Sequence, residues 1–259
     1  MYHTVLFDLD GTLLNTIQDL ADAANWVCAQ NGWPQHTLEE YKRFVGNGIP
    51  KLCERFTPPQ ARGPQQLAHT LVAFEARYGL HKQDATAPYP GISDLLNHLS
   101  SAGICFGVLT NKEHRLAQAV MEYYFPGVFS FVQGAVPGVP PKPDPAGAKA
   151  LMARMGAVPQ TTLFVGDSDV DVFTAHNAGL AACGVLWGFR GKAELQNAGA
   201  EHLVASPPNC WILSLHKKRK GCPSARFPRA MPKKENQTGV RFGSLFLVTR
   251  PGIEPGLPP

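Results

Sequence analysis

With 259 residues, 44% of them hydrophobic and 17% charged, the chain has the length and composition for one large or two modest globular domains. It shows no apolar run of roughly 18 residues and no basic-then-apolar leader, which argues against a membrane span or secretory signal and for the cytoplasm. The net charge of +4 is uneven, since residues 1–215 sum to −4 and residues 216–259 to +8, so a nucleic-acid partner would have to be sought in the tail alone.

In chain order, "HTVLFDL" reads as a buried strand that ends on two carboxylates, Asp8 and Asp10, with "GT" turning the chain immediately after. The stretch 17–86 then reads as helices only: "IQDLADAANWVCAQNG", "TLEEYKRFVGNGIPKLCERF" and "QQLAHTLVAFEARYGLH", with a Gly46-Asn47-Gly48 turn inside the second. Linkers near 14–17 and 82–90 join this block to the rest, and "APYPG" marks the return. From there strands alternate with helices. "ICFGVLT", "VFSFVQG", "TLFVGD" and "AACGVLW" are short, continuous apolar runs, as in a parallel sheet covered on both faces. Between them lie "SDLLNHLSSAG" with Ser93 as its expected cap, "KEHRLAQAVMEYYF", "PAGAKALMARMG" ending at Gly156, and "DVDVFTAHNAG" ending at Gly179. "SPPNCWILSL" fits a brief closing helix, with Trp211, Ile212 and Leu215 packing on the sheet.

The expected fold is thus α/β: a doubly wound parallel sheet over residues 1–16 and 87–215, with an inserted helical cap domain over 17–86. Residues 216–259, basic and holding seven prolines, form a disordered or weakly structured tail that a frame-shifted stretch would resemble equally well. The six cysteines lack CxxC spacing and the nine histidines lack paired spacing, which points to reduced thiols and ordinary packing residues.

In such a sheet ligands bind at the carboxyl ends of the strands. Those ends carry Asp8 and Asp10, Thr110 and Asn111, Asp167 and, one loop on, Asp171, while Lys142 lies in the "PPKPDP" loop. Several carboxylates in one small space call for a hard divalent cation, which predicts Mg²⁺. With a lysine and a hydroxyl opposite, the set suits attack on phosphorus: Asp8 as nucleophile, Asp10 as proton carrier, and Gly11 and Thr12 in a tight turn offering backbone amides to phosphate. Taken singly, each residue has a plainer reading as a turn, a helix cap or a solvated loop lysine. Independent caps have no reason to fall on successive strand ends in this order.

"DLDGTLLNT", "VLTNK", "KPDP" and "VGDSDVDV", in this order and spacing, resemble the motifs of the haloacid dehalogenase-like superfamily, with the helical insert in the position of its C1 cap; the likeness covers about residues 3–205. It implies Asp8 as nucleophile and magnesium ligand, Asp10 as acid/base with its backbone carbonyl on the metal, and Asp167 as a further ligand. It also implies Thr110 and Asn111 on phosphate, Lys142 neutralising nucleophile and phosphate, and Asp171 orienting Lys142 or metal-bound water. An acid at position 10 favours phosphate-ester hydrolysis over carbon–halogen cleavage. Within the superfamily the chain is most similar to the phosphoglycolate phosphatase group, where "FVGNGIPKL" resembles a glycine-rich turn near the substrate, hence Gly46 and Asn47 as substrate contacts. The expected activity is Mg²⁺-dependent hydrolysis of a small phosphorylated metabolite, 2-phosphoglycolate first, by a monomer or homodimer with no specific nucleic-acid or membrane partner. Pyrophosphate, nucleotides or sugar phosphates are alternative substrates, and a catalytically idle binding protein is the alternative of another class.

Overall fold

The computed structural model describes residues 2–210. Strand β1 (Thr4–Phe7) leads through a turn to β2 (Leu14–Asn15). Helices α1 (Ile17–Gln30), α2 (Leu38–Phe44), α3 (Ile49–Phe56) and α4 (Pro64–His81) follow before β3 (Ala87–Pro88). Helices and strands then alternate: α5 (Ile92–Ser101), β4 (Cys105–Glu113), α6 (His114–Tyr124), β5 (Val132–Ala135), α7 (Ala146–Met155) and β6 (Thr162–Gly166). The series ends with α8 (Asp169–Asn177), β7 (Ala181–Val185), α9 (Lys192–Asn197), β8 (His202–Val204) and α10 (Pro207–Cys210).

The strands β5-β4-β1-β6-β7-β8 lie in that order in one sheet, and every pairing in it is parallel. Chain order reverses at β1: Val5 pairs with Phe106 of β4 on one side and Leu163 of β6 on the other. The crevice of a doubly wound sheet opens at this reversal, above the carboxyl ends of β1, β4 and β6. β1 and β6 are buried along their whole length because helices cover both faces, which is why their sequences run apolar without alternation. One apolar cluster packs α7, α8 and α9 on the sheet through Leu151, Met155, Phe164, Val172 and Leu195.

A second cluster is confined largely to the helices between β2 and β3, with Val27, Tyr41, Leu52, Phe56, Phe74 and Tyr78 at its centre. Burying side chains of this size stabilises by about 1.5–3 kcal/mol each. The linkers that join this block to the sheet pair with each other, Leu14 opposite Pro88 and Asn15 opposite Ala87. The buried Asp19 carboxylate ties α1 to the return segment by accepting from Ala85 N, Thr86 N and Thr86 Oγ1 at 2.8, 2.9 and 2.6 Å.

Local signals set most helix ends. Thr37 and Glu40 close a reciprocal cap at the start of α2, and Gly156, left-handed at φ 62°, stops α7. Helix α5 departs from expectation. Its cap is Gly91 (φ 88°) rather than Ser93, because the turn out of "APYPG" needs a left-handed residue and Ile92 is already in the buried face. Cys28, Cys53, Cys183 and Cys210 are buried free thiols as expected, whereas Cys105 is disulfide-bonded, a pairing that the lack of CxxC spacing does not exclude. Trp211, Ile212, Leu215 and the tail 216–259 lie outside the described residues.

Candidate active site

Strand ends build the floor of the site. Asp8 follows β1 directly, Thr110 and Asn111 lie within β4, and Asp167 follows β6. Lys142 arrives from the proline-rich loop before α7 and sits buried between two acids, its Nζ 2.8 Å from Asp8 Oδ1 and 2.6 Å from Asp171 Oδ1. The second oxygen of Asp171 accepts from Ser168 N at 3.1 Å and Ser168 Oγ at 2.7 Å, so one carboxylate both caps α8 and holds the lysine. Its plain capping role and its site role are therefore the same geometry.

Asp8, Asp167 and Asp171 each offer an oxygen within 4.8 Å of the others, all three buried. Burial pushes the Asp8 carboxyl up from its ordinary range, as do Asp171 and Asp10, against the opposing pull of Lys142. Asp167 is raised well above its ordinary range by burial, then by Asp171 and Asp8, although the Phe189 amide and Arg190 act the other way. Lys142 is held protonated: burial disfavours its charge, but Asp171 and Asp8 more than compensate. One ammonium among these acids leaves negative charge in excess, and hard carboxylate oxygens suit a small divalent cation.

Asp10 stands apart from this cluster. Both of its oxygens accept from Lys112 Nζ, at 2.9 and 3.0 Å, and the same ammonium reaches Tyr78 Oη at 3.0 Å. Burial opposes the Lys112 charge, yet Asp10 and Tyr78 raise its pKa overall.

At the first turn the two backbone amides already have partners. Gly11 N donates to Leu14 O at 2.8 Å and Thr12 N to Leu9 O at 3.3 Å, so neither amide faces the crevice; a turn this tight satisfies its own donors. Thr12 is fully buried beneath the site. Gly11 matters for another reason: it adopts φ 90°, and a Cβ there would run into the Asp167 carboxylate. Asn111 lies in the site wall, but its side chain is engaged with backbone, donating to Gly46 O and Lys142 O at 3.0 and 3.1 Å and accepting from Lys142 N at 2.8 Å. It joins the lysine loop to the helical block. Asn47 is turned away, its Oδ1 accepting from Arg55 Nη2 at 2.8 Å, and it lines a neighbouring groove.

Opposite the strand ends, the pocket is walled by Leu20, Val45, Gly46, Gly48, Ile49 and Leu52 from the helical block. Gly46 and Gly48 take φ 121° and 84°, which lets residues 45–48 double back over the strand ends. Arg190 Nη2 fixes this loop by donating to Val45 O at 2.8 Å and Arg43 O at 3.2 Å.

Residues not foreseen as site residues are Lys112, Ser168, Phe189 and Arg190, all lining this pocket. Phe189 N donates to Asp167 Oδ2 at 2.7 Å while its ring packs into the helical cluster. Lys112 stood within "VLTNK", and a lysine two residues past the apolar run that ends at Thr110 was the available signal. The "GFR" turn after β7 offered none beyond its place at a strand end.

A doubly wound sheet with carboxylates and two ammonium groups gathered at its central strand ends has the make-up of an enzyme site for an anionic substrate. The sequence profile of the family described as haloacid dehalogenase-like hydrolase matches residues 5–185. A phosphoglycolate phosphatase of Pseudomonas putida is 33% identical over 214 residues, 80% of this chain and 79% of its own length. One from Cereibacter sphaeroides is 34% identical over 193 residues, covering 72% of this chain and 86% of its own. The solved structure of a predicted phosphoglycolate phosphatase from Haemophilus somnus superimposes with a TM-score of 0.76 at 27% identity, over 83% of this chain and 98% of that one. The chain belongs to the haloacid dehalogenase-like hydrolase family and is close to its phosphoglycolate phosphatases.

Proposed function

We propose that the chain hydrolyses 2-phosphoglycolate to glycolate and phosphate through an aspartyl phosphate on Asp8. The observation that carries this reading is the buried bridge from Lys142 to Asp8 and Asp171 at the sheet's crevice, beside a third carboxylate. The Asp8 carboxylate attacks phosphorus, and the bond from phosphorus to the glycolate oxygen breaks as Asp10 passes a proton to that oxygen. Asp10 then takes a proton from water, which attacks the acyl phosphate and frees Asp8. Lys142 neutralises charge on nucleophile and phosphate, and the Thr110 hydroxyl, on the pocket wall, donates to a phosphoryl oxygen.

The donor set fits Mg²⁺, which Asp8, Asp167 and the backbone carbonyl of Asp10 would hold; when bound, it supplies positive charge against the phosphoryl oxygens. Asp171 positions Lys142. Residues 17–86 act as a cap whose apolar wall shuts water from the reacting phosphate, and the backbone of Gly46 borders the substrate. The chain acts on a small metabolite in the cytoplasm as a monomer or homodimer; no helix among the described residues is long and apolar enough to cross a membrane.

The test is phosphate release from 2-phosphoglycolate beside pyrophosphate, nucleoside monophosphates and sugar phosphates, with Mg²⁺ and with chelator. Mg²⁺-dependent release with the highest kcat/KM for 2-phosphoglycolate is expected. A higher value for another ester would reassign the substrate, and no release from a folded protein would leave the idle binding fold.

A further inference from the structure

We infer that Lys112 is a positioning residue for Asp10, and that Tyr78 of α4 makes this positioning depend on the helical block sitting over the site. This deepens the reading above and rests on it. Three observations carry it. Lys112 Nζ contacts both Asp10 oxygens, 2.9 and 3.0 Å away, so a single ammonium fixes the plane of the carboxylate as well as its distance. The Lys112 side chain is 2% exposed while that of Asp10 is 15% exposed, so in the pocket that both line the acid is the more accessible of the two. The remaining contact of the ammonium, 3.0 Å to Tyr78 Oη, crosses to the helical block, and the Tyr78 ring is stacked on Phe74 inside that block's core.

A stability role alone does not account for this arrangement. A buried ion pair roughly balances its desolvation against its attraction, and an apolar pair of the same volume holds a fold equally well. Neither Lys112 nor Tyr78 touches the carboxylates Asp8, Asp167 or Asp171 by any hydrogen bond or ion pair seen among the described residues. Of the site's acids Lys112 holds the one assigned to proton transfer, and Tyr78 reaches that acid only through Lys112. Aiming an acid at a leaving oxygen matters in proportion to how badly that oxygen needs a proton. Removing the aim should therefore slow esters of alcohols and spare aryl esters whose phenolate leaves unaided.

The experiment compares kcat/KM for 2-phosphoglycolate and for p-nitrophenyl phosphate, in wild type, Lys112→Met, Lys112→Arg and Tyr78→Phe, with Asp8→Asn as control. For Lys112→Met the expected result is a loss of about 100-fold or more on 2-phosphoglycolate but under about tenfold on p-nitrophenyl phosphate. Lys112→Arg should recover part of the lost rate. Tyr78→Phe, which keeps the buried ring and so protects the test if Lys112→Met fails to fold, should show the same ester-dependent pattern at about a tenth of the size. Equal losses on both esters in either variant, or no loss in both, would overturn the inference. Failure of the underlying reading looks different: wild type would release no phosphate from either ester, or Asp8→Asn would still turn over.

Discussion

The floor of the site and its roof are made in opposite ways. At the floor, charged and polar groups from β1, β4, β6 and the loop before α7 are locked by short, directional bonds, such as Lys142 to Asp8 and Asp171 at 2.8 and 2.6 Å. The roof presents apolar side chains from α1 and α3 and bare backbone at Gly46 and Gly48, held to the floor by Asn111 and Arg190 through main-chain carbonyls. Chemistry needs fixed charges, whereas selection of a small substrate needs shape and exclusion of water. The contrast predicts that floor substitutions act on the rate of chemistry, and roof substitutions on stability and substrate binding.

The sharpest break should come at Asp8. Asp8→Asn keeps the volume and should lower turnover at least about a thousandfold, with the cooperative melt retained. Steady-state kinetics beside a thermal melt checks both halves, and wild-type-like turnover would remove Asp8 from the chemistry. Next comes Lys142→Met, with an expected loss of about 100- to 1,000-fold in kcat. Its melting temperature should also fall, since the buried Asp8 and Asp171 lose their cation, and added Mg²⁺ should restore part of it.

At the roof, Leu52→Ala removes a buried side chain from the helical cluster, and urea unfolding should show a destabilisation of about 2–4 kcal/mol. Its kinetic signature should be a raised KM with kcat much less affected. A fall in kcat at unchanged KM would erase the contrast between floor and roof.

The smallest effect concerns pH. Asp8 and Asp167 have carboxyls raised in the folded state, chiefly by burial. Folded protein therefore binds these protons more tightly than unfolded chain. The stability this gives is fully present below the ordinary carboxylate range and is lost as pH rises through the raised values. Each tenfold difference in proton affinity between the folded and unfolded chain is worth about 1.4 kcal/mol. Mg²⁺ competes with these protons for the same carboxylates, so its stabilisation should grow from acid to neutral pH; calorimetric melts at a series of pH values with and without Mg²⁺ would show it. A constant increment would place the metal elsewhere.

The same contrast explains what was legible in the sequence. Strand ends such as Asp8, Thr110 and Asp167 could be read because a parallel sheet turns sequence order into spatial order, and an acid after an apolar run stands out. What could not be read depends on which partner takes each hydrogen bond. The Asn111 side chain bonds backbone on both sides, and the Gly11 and Thr12 amides close their own turn. Lys112 pairs with Asp10 across 102 residues, a contact set by the adjacency of β1 and β4 rather than by any local pattern. Ser93 failed as the cap of α5 for a local reason: a left-handed turn at Gly91 outranked a side-chain acceptor two residues on.

The most direct measurement is rapid acid quench of the enzyme turning over 2-phosphoglycolate with Mg²⁺, followed by mass analysis of the peptides. A phosphoryl adduct on the peptide carrying Asp8, absent in Asp8→Asn and without chelatable Mg²⁺, is the predicted result. Sustained turnover with no adduct under conditions that trap acyl phosphates, or an adduct on another residue, would contradict the account.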